Sequence, residues 1–212
     1  MRFAMRADVA IVGGGPAGCF TGIGLAERGF KVVIVEEHGE IGNPECCTGI
    51  LGVGGLAELG IKPGKWVLGK LRGAILHTPS NESIELTRKR IEAFVIDRAE
   101  FDRSLARRAA EAGVAFLLKH RCVGLTFKGS PLVRLKGEKE TQIRARVLVG
   151  ADGPTSIVAR KAGLITSNKY IRCAQVETIA KAKEDIAEVF LGNKFSPGFF
   201  GWLVKAGDVC RV

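Results

Sequence analysis

Three groups of residues in this chain have types and spacing that can do chemistry. The first is Gly13-Gly14-Gly15-Pro16-Ala17-Gly18, a G-x-G-x-x-G pattern, with Glu36 following 18 residues after Gly18. In such a turn Gly13 permits the tight bend, Gly15 lets backbone N–H groups approach a pyrophosphate, and Gly18 lets helix and strand pack closely. A carboxylate placed like Glu36 can accept hydrogen bonds from ribose hydroxyls. The second group is Asn43-Pro44-Glu45-Cys46-Cys47-Thr48-Gly49-Ile50, which sets two cysteines side by side. They could be a metal clip, a disulfide, a nucleophile, buried packing or the wall of a cofactor site. The third is Gly150-Ala151-Asp152-Gly153-Pro154-Thr155-Ser156, a turn between an apolar run and a helical pattern.

Composition narrows the options. The 212 residues are 46% hydrophobic and 25% charged, which describes a folded chain able to bury a sizeable core. The six cysteines (19, 46, 47, 122, 173 and 210) form no C-x-x-C pair, so no disulfide framework is expected. No metal site is expected either, because adjacent cysteines lack the usual ligand spacing and the nearest histidine, His38, lies well before Cys46. His38, His77 and His120 show no supporting partners and are assigned no role. The net charge of +10 suits an anionic substrate or an anionic membrane surface as well as a solvated basic face. Nucleic acid is not expected, since no aromatic-interleaved basic stretch is present. No apolar run reaches the roughly 18 residues of a membrane span, and the N-terminus lacks a secretory signal pattern. The expected location is cytoplasmic, with peripheral attachment to a membrane surface allowed.

Elements must hold these groups in place. Ala7–Val12 reads as a buried parallel strand that runs into the glycine turn, a helix follows to about Arg28, Gly29 ends it, and Lys31–Glu36 is a second strand. This strand–helix–strand unit, with Glu36 at its end, points to an adenine dinucleotide at the positive N-terminus of the helix. The stretch 94–114 reads as a strand and then a helix opened by Asp97, with Glu100 three residues on in a capping-box pattern. Phe101, Leu105, Ala109 and Ala112 share one face of it, Arg98 stands at its entrance, and Gly113 closes it. Residues 144–163 read as a strand, the Ala-Asp-Gly turn, and a helix beginning near Thr155.

Taken together, the glycine turn with its acid, the strand-Asp-Arg-helix and the strand-GADGPTS-helix resemble the FAD-dependent hydroxylase superfamily. That resemblance implies FAD, with Gly13, Gly15, Ala17, Gly18 and Glu36 in the binding turn. It further implies that Arg98 contacts the cofactor, that Asp152 and Gly153 lie against the pyrophosphate, and that Cys122 touches the adenine end through its backbone. Within the superfamily, the run EEHGEIGNPECCTGI resembles the geranylgeranyl reductase branch, whose Gly-x-Pro-x-x-Cys loop aligns with Gly42, Pro44 and Cys47. The run FSPGFFGWLVKAGD resembles that branch's Pro-Gly-x-Tyr-x-Trp-x-Phe-Pro stretch. There Pro197, Gly198 and Trp202 match, while Phe200, Val204 and Lys205 replace the tyrosine, phenylalanine and proline.

The implied fold is α/β: a Rossmann-like FAD-binding domain of the hydroxylase type with a second, mainly antiparallel sheet. The implied reaction is reduction of isoprenoid C=C bonds by a reduced flavin. The substrate would be a prenyl chain on a glycerophospholipid or a prenyl diphosphate, and the electron donor reduced ferredoxin or NAD(P)H. On this reading Cys47, Thr48, Gly49 and Ile50 lie beside the flavin, Cys47 is the candidate proton donor, and Cys46 is packing. Phe200 and Trp202, with Phe199 and Leu203, are candidates for an apolar substrate channel. A flavin monooxygenase with the same cofactor domain is the first alternative, and a non-catalytic FAD-binding piece that needs a second chain is the other. The expected layout is an FAD domain over residues 1–164, with a strand-rich excursion at about 60–92. Residues 165–212 would begin a substrate domain whose sheet starts near Tyr170 with 171–180 and 187–193, and the chain is read as C-terminally truncated, since no Gly-Asp-Ala-type segment follows residue 164.

Overall fold

A computed structural model describes residues 4–45, 47–164, 169–194 and 196–212. In chain order the first elements are β1 (Ala4–Val12), α1 (Pro16–Ala26), β2 (Val32–Val35), β3 (Ile50–Gly52), α2 (Val53–Glu58) and β4 (Val67–Leu71). Next come β5 (Gly73–His77), β6 (Ser83–Thr87), β7 (Ala93–Ile96), α3 (Arg98–Glu111), β8 (Ala115–Leu117) and β9 (Arg121–Thr126). The last are β10 (Leu132–Lys136), β11 (Thr141–Gly150), α4 (Ile157–Lys161), β12 (Glu177–Thr178), β13 (Ile186–Leu191), β14 (Phe200–Ala206) and β15 (Val209–Arg211). They divide into two compact units, residues 1–44 with 102–168, and residues 45–101 with 169–212.

The first unit is built on a six-stranded sheet in the order β8-β2-β1-β11-β10-β9. Its four strands β8, β2, β1 and β11 run parallel, while β10 and β9 are antiparallel additions. All four residues of β2 are buried, as a strand covered on both faces requires, so its sequence is a continuous apolar run without alternation. By contrast β10 alternates, with Val133 and Leu135 inside and Arg134 and Lys136 outside. Helix α1 lies close on the sheet at Gly22, where a Cβ would stand 3.1 Å from Ile34 and 3.4 Å from Val114. A larger residue there would lever the helix off β2.

The second unit holds a six-stranded sheet, β12-β15-β14-β13-β5-β6, and a three-stranded sheet, β3-β7-β4. Pairing is antiparallel throughout except between β5 and β13. Leu71, Val95, Ala187, Val204 and Ala206 form its core cluster. Trp66 is buried and meets Phe94 and Phe101 edge-on at 6.4 and 5.1 Å. The 60–92 excursion supplies β4, β5 and β6 to this unit.

Local signals held in most places. Asp97 accepts the Glu100 N–H at 2.8 Å and so caps α3, and Gly113 ends that helix region with φ +96°. The last helix begins near Thr155 as expected, at Ile157, with Ser156 as its N-cap accepting the Ala159 N–H at 2.9 Å. One expectation needs correction. The run around 171–180, read as the start of a sheet, contributes only Glu177–Thr178 as strand. Its β-branched residues stay exposed, and Val176 pairs with Val212 as that short strand begins.

Candidate functional site

The glycine turn sits where β1, β2 and β11 end. Gly13 donates its N–H to Val35 at 2.8 Å, and Ala151 donates to Val12 at 2.7 Å, which ties the three strand ends together. Gly13 has φ +105°, and a Cβ there would run into the Ala151 carbonyl, so no other residue fits. A Cβ on Gly18 would run into the Gly13 carbonyl, which lets α1 start directly behind the turn. At Gly14 a Cβ would stand 2.5 Å from the Ile41 side chain, so all three glycines of the tripeptide have a reason, though the third differs. Gly15, the N-cap of α1, meets nothing within 4 Å on its Cβ side. Its bare face opens into a cavity of about 480 Å³. Ala17 is exposed on the first turn of α1, which carries no acidic residue there.

Gly13, Gly15, Glu36, Cys122 and Asp152 all line this one cavity. Glu36 is held from every side. One carboxylate oxygen accepts the Gly14 N–H at 2.8 Å, and the other accepts the His38 N–H at 2.9 Å and lies 2.7 Å from the His38 Nδ1. Cys122 is buried in β9, and burial pushes its thiol up. Asp152 faces two ways. It borders the cavity, yet its carboxylate accepts from the Ser156 hydroxyl and from the Ile157 and Val158 N–H groups at 2.7 and 3.2 Å, so the side chain caps α4. Gly153 then turns with φ +72°. Thr155, Arg121 and Arg160 also line the cavity, as does Glu37, which lies 3.3 Å from Arg121, and sequence reasoning assigned no role to the two arginines. Arg160 had a signal, being a cation one turn into the helix after the Ala-Asp-Gly turn.

A bare glycine face, a helix N-terminus free of acids, two arginines and a fixed carboxylate fit a dinucleotide: cations and amides suit the phosphates, and Glu36 suits the ribose. Behind the turn, Cys19 donates to the Gly14 carbonyl at 3.1 Å, and burial first, then the charges of Asp102 and Glu36, push its thiol up to about 12. The histidines, expected to lack partners, have them. His38 binds Glu36, His77 bonds Glu188 at 2.8 Å and stacks on Phe190 at 4.6 Å, and His120 Nδ1 lies 2.7 Å from the Leu118 carbonyl.

Arg98, Cys47 to Ile50, Phe200 and Trp202 belong to the second unit. Arg98 is half-buried at the first position of α3. Cys46 lies outside the described residues. Cys47 is exposed, and its Sγ accepts the Gly49 N–H at 3.4 Å. Thr48 is half-buried, Gly49 is buried with φ +78°, and Ile50 opens β3 opposite Val95. A residue that sequence reasoning missed secures this loop: Arg211, only 4% exposed. Its Nη1 donates to the Thr48 and Ile96 carbonyls, both at 2.8 Å, and its Nε to Glu177 at 2.9 Å. Trp202 pairs with Val189 and Phe200 with Leu191, so all four share one face of the sheet, with the Phe200 and Trp202 rings edge-on at 6.5 Å. The Trp202 Nε1 is buried there without a hydrogen-bond partner. Among the described residues, no group of three or more His, Cys, Asp or Glu could hold a metal ion.

A parallel α/β unit with a glycine turn, a carboxylate after its second strand and cations at its strand ends defines a flavin- or nicotinamide-dinucleotide protein. The FAD dependent oxidoreductase family model matches residues 8–167, and the chain belongs to that family, whose cofactor is FAD. Among curated relatives, the digeranylgeranylglycerophospholipid reductase of Methanocella arvoryzae is 34% identical over 95% of this chain and 54% of its own length. The enzyme of the same name from Methanocaldococcus jannaschii is 32% identical over 97% of this chain, again 54% of its length. Among solved structures, a geranylgeranyl bacteriochlorophyll reductase-like protein from Thermoplasma acidophilum matches with TM-score 0.89 and 27% identity, covering 99% of this chain and 56% of that one. The chain thus spans about half the length of the curated relatives it matches.

Proposed function

We propose that this chain is the FAD-binding part of a reductase of isoprenoid C=C bonds, acting on geranylgeranyl chains of glycerophospholipids or on prenyl diphosphates. What supports this reading is a cavity lined by Gly13, Gly15, Glu36 and Asp152 in a chain similar over 95–97% of its length to enzymes named for that activity. In this reading the first unit holds FAD: Gly13 and Gly15 admit the pyrophosphate beside the α1 N-terminus, Gly18 closes the helix onto the turn, Glu36 takes the ribose and Cys122 borders the adenine. Asp152 and Gly153 shape the wall near the phosphates, and Arg98 adds a cofactor contact. Bound reduced FAD would supply a hydride to one alkene carbon.

The remaining tasks fall to the protein. Cys47 gives its thiol proton to the other alkene carbon and regains one from solvent, and Thr48, Gly49 and Ile50 form the loop that presents it. Phe200 and Trp202, on one apolar sheet face, hold the prenyl chain away from water, where orientation matters because an isolated alkene is a poor electrophile. The electron donor is reduced ferredoxin or NAD(P)H. The net charge of +10 suits an anionic headgroup and a peripheral place at a membrane surface. No helix among the described residues is long and apolar enough to cross a membrane.

The test starts with the visible spectrum of the purified protein titrated with FAD, which should develop a bound-flavin band. Dithionite-reduced protein is then mixed with a geranylgeranylated glycerophospholipid under anaerobic conditions, and product mass is followed for gain of two hydrogens per double bond. Flavin binding with oxygen-dependent NAD(P)H consumption and no such gain would favour the monooxygenase reading. A Cys47→Ala protein that reduced the alkene at the wild-type rate would remove the proton-donor role.

A further inference from the structure

The geometry points to Arg211 as the positioning residue of the Cys47 thiol. A buried arginine is costly unless its fork is paired, and here Nε and Nη1 make three hydrogen bonds. Its Nη1 bridges two main-chain carbonyls, Thr48 and Ile96, that belong to segments 48 residues apart in sequence. Its Nε bonds Glu177 on β12, and its Nη2 lies 3.9 Å from Glu45, just before the cysteine pair. One guanidinium therefore bonds the loop at Thr48 and stands within ion-pair distance of Glu45.

The clasp reaches the thiol in two steps. Ile96 donates its N–H to the Gly49 carbonyl at 2.8 Å while its own carbonyl is bound by Arg211. Gly49 is thereby held at φ +78°, where a Cβ would stand 2.6 Å from the Ile96 oxygen and 2.9 Å from the arginine Nη1. In that conformation the Gly49 N–H is aimed at the Cys47 Sγ, which fixes the side chain's direction. A lysine cannot do this, since one ammonium does not reproduce a planar fork with two carbonyls and a carboxylate on separate edges. The two acids are exposed enough to be solvated without the arginine (Glu177 51%, Glu45 36%), so its loss should loosen the loop more than it unfolds the unit. The inference rests on the reading of Cys47 as a working residue, and the experiment has one arm that does not.

That arm is amide hydrogen exchange by NMR on wild type, Arg211→Met and Arg211→Lys at neutral pH. Arg211→Met should speed exchange at Gly49 and Ile96 by about tenfold, the effect of losing one charge-assisted hydrogen bond, with Arg211→Lys in between. Val189 and Leu76, on β13 and β5 of the same sheet but two and three strands from Arg211, should exchange as in wild type. Unchanged Gly49 exchange, or equal acceleration at Val189 and Leu76, would reduce Arg211 to a general core residue and overturn the proposal. The second arm measures alkene reduction in Arg211→Lys, Cys47→Ala and the double variant. If Arg211 acts through Cys47, the double variant is no slower than Cys47→Ala. Additive losses would overturn the proposal. If Cys47→Ala alone changed nothing, the catalytic reading of Cys47 would fail, and the exchange arm would still decide whether the clasp exists.

Discussion

Gly15 and Gly18 stand three residues apart in the same motif, and the structure predicts opposite consequences for adding one methyl group to each. At Gly15 the backbone is extended (φ −69°, ψ −176°), a conformation open to any residue, and nothing lies within 4 Å of the new Cβ. Alanine is a poorer N-cap than glycine by roughly 0.5 kcal/mol, but it restricts the unfolded chain by a similar 0.4–1 kcal/mol or so. The net change in folding stability should be within about 1 kcal/mol. The same methyl group projects into the cleft and separates a phosphate from the amides at the start of α1. Loss of one hydrogen bond to a charged group is worth about 1.5–3 kcal/mol, which is roughly a 10- to 150-fold weaker FAD affinity. At Gly18 the Cβ would overlap the Gly13 carbonyl, backbone against backbone. Relief requires α1 to move off β1, and overpacking of this kind costs about 1–3 kcal/mol or more. Urea unfolding followed by circular dichroism and FAD titration followed by flavin fluorescence separate the two effects. Gly15→Ala should keep its unfolding midpoint and lose FAD, whereas Gly18→Ala should lose stability first. A Gly15→Ala protein that bound FAD within twofold of wild type, or that lost more than about 2 kcal/mol of stability, would refute the assignment of the bare glycine face to the pyrophosphate.

Glu36→Gln should weaken both fold and binding, because either orientation of the amide sets its NH₂ against the Gly14 or the His38 N–H, an unmet pairing worth about 1–3 kcal/mol; thermal unfolding and FAD titration check it, and an unchanged melting temperature would contradict the bonding described. Cys19 should stay unmodified by iodoacetamide at pH 8 while exposed Cys47 and Cys173 react, as peptide mass mapping can show. The same thiol makes stability fall in alkali: the unfolded chain releases its proton near the ordinary value of 9.0 and the folded chain holds it to about 12, so the unfolded state binds fewer protons between those limits. The slope approaches about 1.4 kcal/mol per pH unit, and Cys19→Ala should flatten it in urea titrations between pH 8 and 10.

What could be read ahead of the structure was what short-range physics determines. The β1–turn–α1–β2 unit follows from an apolar run, three glycines and a helix stop within about thirty residues, and Asp97 caps α3 by reaching only three residues along the chain. Where a residue's role depends on a distant partner, local pattern misled or fell silent. The β-branched residues around 171–179 resemble a strand, but a strand needs a neighbour's amides, and only Val176, Glu177 and Thr178 pair with β15 and the residue after it. His38 looked unpartnered because its partner acts through a carboxylate already assigned to ribose. Asp152 was placed at the phosphates, where it does line the cavity, while its carboxylate is spent on α4.

Arg211 marks the sharpest limit of this kind, and its case explains why the cleft of the first unit and the cysteine loop of the second differ in legibility. The dinucleotide cleft is made where parallel strands end, so its residues recur at predictable places: the turn after β1, the end of β2, the turn after β11. Topology alone gathers them, whatever the rest of the chain does. The cysteine loop has no such guarantee. Gly49 is tolerable at φ +78° in isolation, and besides its bond to Cys47 the bonds that hold this stretch come from Ile96, 47 residues away, on Gly49 itself and from Arg211 on the neighbouring Thr48 carbonyl. A catalytic side chain set on a loop must be fixed by contacts of that kind, since loops carry no ladder of their own. It follows that a cofactor site can be recognised from motif spacing, while the loop proposed to meet the substrate is held by residues whose sequence context looks ordinary, as Val209-Cys210-Arg211 does here.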